Sequence, residues 1–127
     1  MSLRDEIYER VAPHIPPGEA FVVSFQAEEP LLKFGSIRLL PWPRVVVVTD
    51  KRVHLFTSSP WRVCEPRRLL RSVPLSALTF STRVLLKHVI HLSGEMLWVN
   101  FAYRELLGEA LAFIQSATGT RLERDDD

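Results

Sequence analysis

RVVVVTDKRVHLFTSS, residues 44–59, decides the fold. Two runs rich in β-branched residues, Arg44–Thr49 and Arg52–Thr57, flank the short polar turn Thr49-Asp50-Lys51-Arg52. That pattern predicts a β-hairpin. Its register has two readings. A two- or four-residue loop pairs Val48 with Val53 and Val46 with Leu55, whereas a three-residue loop pairs Thr49 with Val53 and Val47 with Leu55. A one-residue slip exchanges the faces. Both faces are apolar, so the back of the hairpin needs a cover, supplied by the N-terminal helix or by a second subunit.

Upstream, Ser2–Val11 reads as a short helix with Leu3, Ile7 and Val11 on one face. Ser2 is its candidate cap, and Asp5 and Glu6 favour the positive end of the helix dipole. Pro13 and Pro16-Pro17-Gly18 stop it. Ala20–Gln26 alternates as a strand. Pro30–Pro43 contains Gly35 and the triplet Pro41-Trp42-Pro43, which predicts a loop with a short strand at Ser36–Leu39.

Downstream, Trp61–Glu65 reads as a short strand that resumes through Arg68–Ser72. Leu78–Leu85, Lys87–Leu92 and Met96–Phe101 complete the series, with a hairpin turn at Ser93-Gly94-Glu95. The period then changes. Tyr103, Leu106, Leu107, Ala110, Leu111, Ile114 and Ala117 follow helical spacing, Gly119 is the stop, and Arg121–Asp127 is a polar tail. The domain reading is a helix and turn over 1–18, a β-rich domain over 19–119 and the tail over 120–127.

With 127 residues there is room for one core. No apolar run approaches the roughly 20 residues of a membrane-spanning helix. The N-terminus has no apolar signal region. The single Cys64 fits a reducing cytoplasm.

The net charge of +1 conceals an uneven distribution. Residues 38–87 hold ten Lys/Arg against two acids, or +8, residues 1–37 sum to −3 and residues 88–127 to −4. A basic middle can steer anionic partners if it clusters in space.

VVVVTDKRVHLF, then VPLSALTFS at 73–81, then LWVNFAYRELLGEALAFI at 97–114, resembles the bacterial pleckstrin-homology-like and GRAM-like domains over about residues 19–117. The resemblance implies a mainly β (α+β) fold, a seven-stranded, strongly bent barrel or sandwich capped by the C-terminal helix. It also implies a non-enzymatic role: binding lipid headgroups, binding peptides, or self-association. The short N-terminal helix and the Phe34–Pro43 segment depart from the family pattern. In such domains phosphoinositides generally bind beside the loop between the first two strands, which here carries Lys33, Arg38 and Arg44.

The leading functional expectation is a cytoplasmic protein–protein interaction module that self-associates through the hairpin or exposed edge strands. The alternative is anionic-lipid recognition at the membrane surface. Its candidates are Lys33, Arg38, Arg44, Lys51, Arg52 and Arg62, with Trp42 and Trp61 as interface residues. Nucleic acid is a weaker reading, because no motif accompanies Arg67, Arg68 and Arg71. His14, His54, His88 and His91 lack metal-ligand spacing, and no cofactor motif or catalytic constellation is recognisable.

Overall fold

A computed structural model describes residues 3–34, 37–59, 64–84, 87–93 and 95–119; the side chains of 3, 30–41 and 82–87 lie outside that description. The expected Ser2 cap, Trp61, Arg62 and the tail therefore fall outside the described residues.

Seven antiparallel strands follow α1 (Leu3–Val11): β1 (Phe21–Phe34), β2 (Ile37–Thr49), β3 (Arg52–Ser58), β4 (Pro66–Pro74), β5 (Leu78–Val84), β6 (Lys87–Leu92) and β7 (Glu95–Asn100). Short 3-10 turns occupy Ala12–His14, Leu75–Ala77 and Phe101–Tyr103, and α2 (Arg104–Thr118) closes the chain. The sheet order is β4-β3-β2-β1-β7-β6-β5. α2 packs on β1, β5 and β7 and on the turn after β4, so it touches both halves of the sheet. This is the seven-stranded, helix-capped pleckstrin-homology-like fold.

The hairpin register is the even-loop one, with Val48 opposite Val53 and Val46 opposite Leu55. Thr49 sets the turn. Its hydroxyl accepts from the N–H groups of Lys51 and Arg52, both at 3.2 Å. Alternation puts Val46, Val48, Val53 and Leu55 on one face and Val45, Val47, His54 and Phe56 on the other. All eight are buried. The second face is covered from within the chain. Ile7 and Val11 of α1 join the core, and the His14 ring meets Phe56 edge-on at 5.6 Å. Tyr8 packs on Phe21 at 4.9 Å, and Arg4 pairs with Glu109, fastening α1 to α2.

Leu106, Leu107, Ala110, Leu111 and Ile114 form the buried stripe of α2. Gly119 ends the helix with φ of 71° and donates its N–H to the Gln115 carbonyl at 2.9 Å.

Two expectations need correction. The Pro30–Pro43 segment is not a loop. β1 and β2 run on as a paired ribbon, with Glu28 opposite Pro43, Pro30 opposite Pro41 and Phe34 opposite Ile37. A ladder tolerates proline where its nitrogen faces away from the paired strand. β3 pairs with β2 only from Arg44 onward, and β7 meets β1 at Glu28 opposite Trp98, so these prolines sit where the outer edges carry no ladder among the described residues. The second correction concerns Cys64 and Glu65, which are not in a strand; β4 begins at Pro66. Cys64 has φ of 59°, and its N–H is held by the Gln26 side chain at 2.8 Å while the Ser59 N–H bonds the Glu65 carbonyl at 3.0 Å.

Candidate interaction surface

Among the described side chains, the predicted basic residues divide into a buried Arg44 and an exposed pair, Lys51 and Arg52. Arg44 is buried: its Nε lies 2.9 Å from Glu29 Oε2 and its Nη1 donates to the Pro43 carbonyl at 3.0 Å. It faces Ala27 across the ladder, two positions from Glu29. With 9% of its side chain exposed and its Nε held by Glu29, Arg44 is not available to a headgroup. Lys51 and Arg52 lie exposed at the β2–β3 turn, where Arg52 Nε pairs with Glu19 Oε2 at 3.2 Å. Lys33 and Arg38 stand opposite each other in the ribbon. From Arg38 to Thr49 the strand advances eleven residues, up to roughly 36 Å at ~3.3 Å per residue. The two pairs of cations therefore occupy opposite ends of β2. Trp42, at the base of the ribbon, is 49% exposed. Trp61 and Arg62 lie outside the described residues.

The ribbon itself is the distinctive surface. Beyond the flanking ladders, residues 29–34 pair with 37–42 and with nothing else among the described residues. The register and the alternation of strands place Pro30, Leu32, Phe34, Ile37, Leu39 and Pro41 on one face. Leu31, Lys33, Arg38 and Leu40 share the other. A lone two-stranded ribbon is marginal in water.

The sheet edges are poorer docking sites. β4 carries Pro66 and Pro74 at its ends and register shifts at both Leu55/Phe56 and Phe56/Ser58 of its partner. β5 has a shift between Phe80 and Thr82. Bulges, prolines and charges are devices that blunt edges. Arg67 and Arg68 are exposed on β4 next to Leu69 (50% exposed) and Leu70 (36%), while Arg71 pairs with Glu95 and ties β4 to β7.

A buried polar network went unrecognised in the sequence. His54 stands directly opposite Ser72 in the β3–β4 ladder. Its Nδ1 is 2.7 Å from Ser72 Oγ and its Nε2 is 2.8 Å from Glu19 Oε1. The Thr49 hydroxyl donates to the same carboxylate oxygen at 2.6 Å. Burial is the largest influence on Glu19 and opposes its charge. Hydrogen bonds from Thr49 and His54, then the charges of His54 and Arg52, outweigh it and hold the carboxyl below its ordinary value of 4.5. The available signal was a lone histidine inside an apolar hairpin, which requires partners once buried.

Burial pushes the Cys64 thiol up to about 11 despite its contact with Tyr103, and burial, followed by the influence of Cys64, pushes Tyr103 up to about 12. Among the described residues no group of three or more His, Cys, Asp or Glu could hold a metal ion. Cavities of about 470 and 340 Å³ open near Tyr8, Pro17 and Phe21 and near Glu28, Asn100 and Tyr103, and neither is lined by a candidate basic residue. No described helix is long and apolar enough to cross a membrane.

No protein-family model matches the chain, and no curated protein does. Among solved structures it is similar to the hSac2 domain from human phosphoinositide phosphatase Sac2. The TM-score is 0.54 and the identity 8%, over 94% of this chain and 85% of that one. At that identity the likeness is one of fold alone.

Proposed function

We propose that this chain is a non-enzymatic module that attaches to anionic membrane surfaces through the β1–β2 ribbon. The supporting observation is the ribbon's register, which sets Phe34 opposite Ile37 and Leu32 opposite Leu39 on one face, with Lys33 opposite Arg38 on the other. Area favours the membrane reading over stacking of two ribbons. Two ribbons stacked face to face bury on the order of 400 Å² in total, well short of the ~1,200 Å² of a stable protein interface. Inserting one face of about 200 Å² into lipid is worth at most roughly 5 kcal/mol at ~25 cal/mol per Å², enough for reversible attachment. Lys33 and Arg38 would meet lipid phosphates, each adding about 1 kcal/mol on an anionic surface. Trp42 is the exposed aromatic at the ribbon's base.

The hairpin on which self-association was expected has both faces covered inside the chain, which leaves that reading with less surface. It retains one specific observation, the exposed Leu69 and Leu70. Sedimentation with vesicles of phosphatidylcholine alone or mixed with phosphatidylserine tests the proposal. The wild type should pellet with the mixed vesicles, and Leu32→Asp with Leu39→Asp should stay in solution while unfolding at an unchanged temperature. Equal recovery in the supernatant with and without vesicles removes the membrane reading. A concentration-dependent dimer in light scattering, lost in the Leu69→Asp variant, would put self-association in its place.

A further inference from the structure

The Glu19–His54–Ser72 network has the polarity of a proton relay that ends on an accessible hydroxyl. Thr49 and Arg52 bind the two oxygens of Glu19, which is held as the anion. An anionic carboxylate only accepts, so His54 Nε2 carries the proton of that 2.8 Å contact. When the imidazole is neutral, this leaves the lone pair on Nδ1, and across the 2.7 Å contact the Ser72 hydroxyl donates to it. His54 is 2% exposed, so the ring is fixed and shielded, whereas Ser72 is exposed on β4, the end strand of the sheet. The charged groups facing the ring are Glu19 and, through it, Arg52.

We propose that Ser72 is an activated hydroxyl that accepts an acyl group from activated esters. Ser72 Oγ forms the new bond to the ester carbonyl carbon while its proton passes to His54 Nδ1. The bond from that carbon to the leaving oxygen breaks, and His54 returns the proton to the departing alkoxide. Glu19 stabilises the imidazolium in between. One acyl group is transferred per chain, with no turnover. The inference is independent of the membrane reading.

The test is intact-mass and peptide-level analysis after incubation with p-nitrophenyl acetate. Ser76, Ser81 and Ser93 are also exposed and serve as internal controls. One acetyl group is expected on Ser72, absent from Ser72→Ala. Loss of the relay in Glu19→Gln should slow the reaction at least about tenfold. Thermal unfolding of each variant, followed alongside, separates loss of the relay from loss of the fold. An unmodified Ser72 overturns the proposal. So does acetylation of the control serines at the same rate.

Discussion

Replacing Glu29 with alanine should destabilise this protein more than replacing Glu29 and Arg44 together with methionine. The two side chains meet at 2.9 Å, with 9% of Arg44 and 23% of Glu29 exposed. Removing Glu29 leaves a buried guanidinium bonded to the Pro43 carbonyl. Breaking a buried pair from one side costs about 3–5 kcal/mol, and the partial exposure of Glu29 argues for the lower end. With a urea m-value of roughly 1–3 kcal/mol per M, a loss of about 3 kcal/mol lowers the midpoint by about 1–3 M. The double methionine variant fills the same volume without a charge and should lie within about 1.5 kcal/mol of the wild type. Equilibrium urea unfolding of the wild type, Glu29→Met, Arg44→Met and the double methionine variant closes the double-mutant cycle, with Glu29→Ala measured beside them. A Glu29→Ala midpoint equal to that of the wild type, or a double variant as unstable as the single, would refute the reasoning and place Arg44 in water. The cycle also bears on function, because a charge reversal at Arg44 would perturb the fold.

Glu19 contributes a pH dependence whose sign is fixed. Its carboxyl is held below 4.5 in the folded protein, so its stabilisation is present above the unfolded value and disappears as pH falls through the folded one. The difference in unfolding temperature between wild type and Glu19→Gln should therefore shrink as pH drops below about 4.5, and a constant difference refutes it. Cys64, buried and shifted up to about 11, should resist a thiol reagent at neutral pH until denaturant is added; immediate reaction would place it at the surface. Gly119→Ala should cost about 1 kcal/mol in urea unfolding, because φ is 71° and no atom lies within 4 Å of the added carbon, leaving backbone strain as the penalty.

Much of the fold was legible because periodicity is local. The 44–57 hairpin, the turn at 93–95 and the α2 stripe with its Gly119 stop all follow from neighbours within a few positions. The ribbon was misread because proline is a strand breaker only when the ladder needs its N–H, and the absence of β3 beside Pro41 and Pro43 is a fact of pairing. Arg44 looked like surface charge for the same reason. Its partner is fifteen residues upstream and reaches it only because Ala27 stands opposite Arg44. The Glu19–His54–Ser72 network spans separations of 35 and 18 residues, which no short motif encodes.

The proline trio has a consequence for how this protein fails. A ribbon with sticky faces would ordinarily seed fibrils by recruiting strand after strand along its rims. Here each rim lacks a donor, at Pro30 on one side and at Pro41 and Pro43 on the other, so a recruited strand finds gaps in its hydrogen bonding.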